Sequence, residues 1–272
     1  MFTAQEVFPG VHHITDAMGV SFTLIRGKDG AILFDNGYGT EDVQQYIRTL
    51  TNVPVTVILS HAHHDHALGS RWFGRVLIQE EDLEEYGMRT GDEQRRKVAE
   101  QAKGKGVPLP EDFFTAACPA PERIPLPVRS FGFASKTFEL NGLTALCIHV
   151  PGHTPGSLML YIPEYRLLLT GDNWNPCTWL WFPSSVPVQE WRKNMTAVCE
   201  NLPFSTVLCS HQPTPRTGEE VRKYIASLTD ERLEQAKPVP MNPNIHTRQA
   251  IPDGPESIFI FDWDKYQNKK QL

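Results

Sequence analysis

No apolar run in this 272-residue chain approaches the ~18–20 residues needed to cross a bilayer, so a membrane-spanning protein is not expected. Positive charge is also in short supply. Lys and Arg number 26 against 32 Asp and Glu, a net charge of −6, so no global positive field exists to gather nucleic acid or anionic lipid. The densest basic groups, Arg95-Arg96-Lys97 and Lys269-Lys270, read as a solvated helix face and a terminal tail. Cysteine is sparse: the five residues, at 118, 147, 177, 199 and 209, form no CxxC pair, which argues against a disulfide framework. The N-terminus lacks the basic start and apolar stretch of a secretory signal, so the expected location is cytoplasmic. What is present is the balance of an ordinary globular chain, with 40% hydrophobic and 21% charged residues.

Short apolar runs alternate with helical patterns. Val20–Arg26 and Ala31–Asp35 flank Lys28-Asp29-Gly30 as a hairpin, and Thr40 is the expected cap of a helix carrying Val43, Ile47 and Leu50. Val55–Leu59 is a continuous apolar run, the mark of a strand buried on both faces. In the second half Asn141-Gly142 joins two strand patterns. A second hairpin joins Leu158–Ile162 to Arg166–Thr170, and a helix follows with Val188, Trp191, Met195, Val198 and Leu202 on one face. Thr206–Cys209 reads as a strand, Thr217 with Glu220 as a capping box, and 238–255 as a Pro-rich connector to a final strand, Ser257–Trp263. The expectation is a single domain over 1–272, two sheets packed together with helices outside, and a C-terminal strand near 257–263. Glycines and prolines between 80 and 136 suggest a loop-rich insertion, a candidate lid or binding loop.

The chemistry concentrates at strand ends. His61, His63, Asp65 and His66 fall within six residues directly after the Val55–Leu59 run, and the spacing of two puts His61 and His63 on one side. Several imidazoles and carboxylates converging there conflict unless a divalent cation takes them as ligands. His64, between them, is expected to point away. His153, Asp172 and His211 each follow another strand. Five histidines and two aspartates are too many for one tetrahedral ion but suit two ions sharing a bridging carboxylate.

The HxHxDH run at 61–66, PGHTPG at 151–156, TGD at 170–172 and SH at 210–211 resemble the metallo-β-lactamase superfamily, in that family's order and over most of the chain. The resemblance implies an α+β, four-layer αββα sandwich with metals at one edge. It implies that His61, His63 and His153 hold a first metal, that Asp65, His66 and His211 hold a second, that Asp172 bridges them, and that Asp35 supports them from behind. Two Zn2+ are the expected cofactors, with Fe or Mn as substitutes. The implied reaction is hydrolysis by a water shared between the ions, its pKa lowered from 15.7 toward ~7, with Asp65 relaying a proton to the leaving group. A bridging aspartate turns the resemblance from true β-lactamases toward glyoxalase II, acyl-homoserine lactonase and phosphodiesterase relatives.

The substrate is expected to be a small, partly apolar ester, lactone or thioester, with β-lactams and phosphodiesters less favoured. Trp174, Trp179, Trp181 and Phe182 follow the bridging position and are candidates for an aromatic substrate wall, with core packing as the competing reading. Cys177 among them is expected to pack as a small apolar residue. Tyr161 and His246 are further candidate substrate contacts. Two other functions stay open: a mononuclear iron persulfide dioxygenase-like oxidoreductase and a non-catalytic metal-binding protein. A homodimer is compatible with the last strand and the insertion.

Overall fold

The structure is a computed structural model describing residues 1–254 and 256–268. Lys269-Lys270, read above as a tail, and Pro255 of the connector lie outside the described residues. Two seven-stranded sheets form the centre. The first contains, in order, β1 (Thr3–Phe8), β2 (Val11–Thr15), β3 (Ser21–Arg26), β4 (Ala31–Phe34), β5 (Val55–Ile58), β6 (Leu77–Ile78) and β7 (Glu122–Arg123). The second runs from β8 (Val128–Ser130) through β9 (Phe133–Glu139), β10 (Thr144–His149), β11 (Leu158–Ile162) and β12 (Leu167–Leu169). Strand β13 (Cys177–Leu180) leaves that sheet, which is completed by β14 (Thr206–Leu208) and β15 (Arg216–Thr217).

Side-chain alternation explains the layering. Along β11, Leu158, Leu160 and Ile162 face the first sheet, whereas Met159 and Tyr161 face the other way. Ile25 and Ile32 of β3 and β4 join the inter-sheet core, while Leu24 and Leu33 turn outward beneath helix α1 (Val43–Leu50). Both faces are buried along inner strands such as β4, β11 and β12, which read as unbroken apolar runs, whereas β1, β7 and β8 at the sheet edges are largely exposed. Each fully buried Leu or Ile contributes about 1.5–3 kcal/mol of transfer free energy. The outer face of the second sheet packs on two later helices through Trp191, Met195, Val221 and Tyr224. Helix, sheet, sheet and helix make the expected four layers.

Several local readings need correction. Asp42, not Thr40, caps α1, its carboxylate accepting the Gln45 amide at 2.8 Å. Thr40 is buried and its hydroxyl has no partner. The connector contains strands of a third, four-stranded sheet, in which β13 pairs in parallel with β18 (Ile258–Asp262), beside β17 (Thr247–Ala250) and β16 (Lys237–Pro238). The 80–136 stretch is far from all loop. After the short helix α2 (His64–Ala67), it holds α3 (Leu83–Thr90) and α4 (Asp92–Lys105), the latter stopped by Gly106 in the left-handed region. Arg95 is 3% exposed rather than solvated, and it donates to the carbonyls of Thr90, Phe113 and Ala116. Those bonds hold the segment together internally, and Arg71, just after α2, fastens it to the body of the protein by pairing with Asp112 at 2.5 Å.

Candidate metal centre

Strands β4 and β5 run parallel, as do β12 and β14, and β10 shares the direction of β12 because both are antiparallel to β11. Asp35, the 61–66 run, His153, Asp172 and His211 each follow the carboxyl end of one of these strands, at a common edge of the sandwich. Asp35 sits at φ 66°, an unusual backbone for a non-glycine residue, and both carboxylate oxygens are engaged. Oδ1 accepts the Ser60 amide at 2.6 Å, and Oδ2 accepts the Ser60 hydroxyl at 2.7 Å and His66 Nδ1 at 2.9 Å.

The structure brings seven donors together in two groups, His61, His63 and His153, and Asp65, His66, Asp172 and His211, each with ligand atoms within 4.8 Å of one another. Asp172 Oδ2 spans them, 2.9 Å from His211 Nε2, 3.4 Å from His66 Nε2 and 3.8 Å from His153 Nε2. The ring nitrogens turned away from the centre have partners. Ser60, whose hydroxyl hydrogen goes to Asp35, leaves a lone pair for His61 Nδ1 at 2.9 Å, and His153 Nδ1 donates to the Trp179 carbonyl at 2.7 Å. In their neutral forms, with those hydrogens placed, His61, His66 and His153 all aim a bare Nε2 inward. Among the described residues, His61 Nε2, His66 Nε2 and Asp172 Oδ1 are buried without a hydrogen-bond partner. Such orphaned atoms call for a ligand, and imidazole lone pairs with carboxylate oxygens are the donor set of a divalent cation.

Electrostatics divide the donors. Burial, reinforced by neighbouring imidazoles, holds His61 well below the usual histidine range and His153 at about 4, so both stay neutral. Burial works to raise the Asp65 and Asp172 carboxyls, but the His66 and His211 imidazoles beside them prevail and keep both ionised. Against burial, the same carboxylates push His66 well above the usual histidine range and raise His211, protons that a bound cation would displace.

Further residues not anticipated from sequence complete the surroundings. Asp82, fully buried ahead of α3, accepts the Ala62 amide at 3.0 Å, the Thr154 hydroxyl at 2.7 Å and the Gly156 amide at 2.8 Å, locking the 61–66 and 151–156 loops together. Glu85 and Arg89 on α3 reach His63. The only advance sign of them was the acidic first turn of a helix masked by glycines.

A cavity of about 460 Å³ opens over the centre. His63, Asp65, His153, Asp172 and His211 lie at its floor, Trp179, Trp181 and Phe182 form one side, and Tyr38, Arg89 and Gln101 contribute others. Trp181 stacks on Phe182 at 4.4 Å between centroids. Trp174 does not line this cavity: it is 1% exposed in the core, edge-on to Tyr224. Tyr161 faces the outer core and His246 is exposed in a pair with Asp264, so neither meets the cavity. His64 lies outside both donor groups, as expected, yet it does line the cavity, edge-on to Tyr38. Cys177 is half-buried on the same wall rather than sealed in the core.

Fold and site define an αββα sandwich with a histidine- and aspartate-built candidate metal centre on one edge. The chain belongs to the metallo-beta-lactamase superfamily, whose sequence profile matches residues 15–267. It is 28% identical over 146 residues to the hydroxyacylglutathione hydrolase GloC of Haemophilus influenzae, covering 53% of this chain and 61% of that protein. It is 24% identical over 159 residues to the acyl-coenzyme A thioesterase MBLAC2 of Gallus gallus, covering 55% of each. The match therefore spans little more than half the length of either relative. In structure it resembles the sec-alkylsulfatase Pisa1 from Pseudomonas sp., with TM-score 0.62 and 18% identity over 86% of this chain and 43% of that one, a likeness of fold. Among the described residues, no helix is long and apolar enough to cross a membrane.

Proposed function

We propose that this chain is a dinuclear zinc hydrolase that attacks a carbonyl centre, foremost that of a thioester, whose acyl C–S bond it breaks, in a small and partly apolar substrate. The observation that carries the reading is the pair of donor groups meeting at Asp172 Oδ2 around buried, partnerless His61 Nε2, His66 Nε2 and Asp172 Oδ1. His61, His63 and His153 would hold one ion and Asp65, His66 and His211 the other, with Asp172 between. When bound, the ions would supply an activated water near neutral pH and polarise the carbonyl oxygen.

The chain's own residues do the rest. Trp179, Trp181 and Phe182 take the apolar body of the substrate and keep water from that side. Asp65, ionised and facing the cavity floor, can receive a proton there and pass it to a leaving group. Thioesters come first because two relatives are named for hydroxyacylglutathione hydrolysis and acyl-coenzyme A thioesterase activity.

The test is elemental analysis of protein purified without chelators, followed by thioesters, lactones, esters, β-lactams and phosphodiesters as substrates. About two zinc per chain with thioester turnover is the expected result. One iron per chain, with oxygen uptake on a persulfide, would replace this reading with a dioxygenase. Bound metal with no turnover of any kind would leave a binding protein.

A further inference from the structure

We infer that Glu85, held by Arg89, is the positioning residue that fixes the tautomer of His63 and so secures the first of the two ion sites, an inference that rests on the metal-centre reading above. His63 stands between two environments. Its Nδ1 lies 2.9 Å from His153 Nε2 inside the donor group, while its Nε2 lies 3.4 Å from Glu85 Oε1 and 3.3 Å from Arg89 Nη2. A neutral imidazole carries one hydrogen, and a guanidinium only donates. Two tautomers compete: when Nε2 accepts from Arg89 at 3.3 Å, the hydrogen sits on Nδ1 and goes to His153 Nε2 at 2.9 Å, a hydrogen bond that closes the ion site. With the hydrogen on Nε2, Glu85 is the acceptor within reach, and Nδ1 is bare.

The carboxylate is well held for this task. Glu85 is 9% exposed, and Arg89 directs both Nε and Nη2 to the same Oε1, at 3.0 Å and 2.7 Å. Partners of the other ligands come from different places. His61 uses its neighbour Ser60, His153 uses the Trp179 carbonyl and His66 uses Asp35. Of these four histidines His63 alone takes its partner from α3, so losing Glu85 strikes one site and leaves the other its own support. Asp82, one turn earlier, ties the backbone of the same loops, which makes this segment the organiser of the first site.

The experiment is titration of the purified chain with Zn2+ against a competing chromogenic chelator, for wild type, Glu85→Ala and Glu85→Gln. Wild type is expected to take two ions. Glu85→Ala should keep one at wild-type affinity and bind the other about 10–100-fold more weakly. Glu85→Gln, whose amide oxygen Arg89 orients toward His63, should stay within about threefold of wild type on the same scale. Nitrogen-15 NMR of histidine in the zinc-loaded wild type should place the His63 hydrogen on Nε2, a readout independent of whether Glu85→Ala folds. Two unchanged ions in Glu85→Ala, equal losses in both variants, or a hydrogen on Nδ1 would overturn the inference. A wild type that binds no zinc would remove the metal reading and this inference together.

Discussion

His153 Nδ1 donates to the backbone carbonyl of Trp179 at 2.7 Å, so a residue of the candidate metal centre and the cavity wall are one hydrogen-bonded unit. The bond uses the Trp179 main chain, leaving its indole, 37% exposed, free for a substrate. Removing the indole should therefore spare the metal. Trp179→Ala is expected to raise KM for an apolar thioester about 3–10-fold, with metal content unchanged. Steady-state kinetics beside elemental analysis would show this; an unchanged KM would return the residue to a packing role. Trp181→Ala, at 9% exposure and stacked on Phe182, should also lower stability.

In the proposed function Asp65 would serve the chemistry as well as the metal. Asp65→Asn keeps the shape but cannot accept a proton, and kcat should fall by about 10²–10⁴-fold at saturating zinc. Full metal content together with full activity in this variant would exclude the proton relay.

Asp82→Ala leaves two amides and a hydroxyl buried without their acceptor. The Thr154 hydroxyl can turn to Ser157 Oγ at 3.0 Å, and each of the two stranded amides costs about 1–3 kcal/mol, so a loss of roughly 2–6 kcal/mol is expected. Urea unfolding monitored by tryptophan fluorescence would measure it, and a loss below about 1 kcal/mol would mean that the two loops are held some other way.

How much of this was legible beforehand follows from the range of each signal. Donors placed directly after apolar runs can be seen, because a strand's end is a local event and His-x-His spacing has one meaning in extended backbone. The Thr217–Glu220 capping box is equally local, and both of its hydrogen bonds are present. Asp82 and Glu85 are a different matter, since their roles depend on where α3 lands in three dimensions. Trp174 shows the same limit: it shares composition and neighbourhood with Trp179, and only the turn of the chain into β13 decides which indole is buried against Tyr224. Arg95 looked like solvent-facing charge because three carbonyls across the segment cannot be read from a basic triplet.

Stability should also fall in mild acid. His13 is buried, with Nε2 donating to the Gln212 carbonyl at 2.8 Å and Nδ1 near the Thr23 hydroxyl at 3.0 Å. Burial lowers its pKa below 6.5, outweighing the hydrogen bond to Gln212, which raises it. The unfolded chain then binds a proton that the folded chain refuses. The stabilisation is complete above pH 6.5 and drains away as pH falls toward the folded value. His13→Gln should flatten the pH dependence of unfolding by up to about 1.4 kcal/mol per pH unit in that window. Identical slopes for variant and wild type would exclude His13 as a source.

The pairing of β13 with β18 sets an order of assembly. All seven donor positions are synthesised before residue 212, but the strand carrying Trp179 finds its parallel neighbour only when Ile258–Asp262 has been made. All seven candidate donors thus precede in the chain the strand that supports the aromatic flank of the cavity. In the proposed function, the capacity to bind an ion would precede the capacity to choose a substrate, and trimming β18 should separate the two.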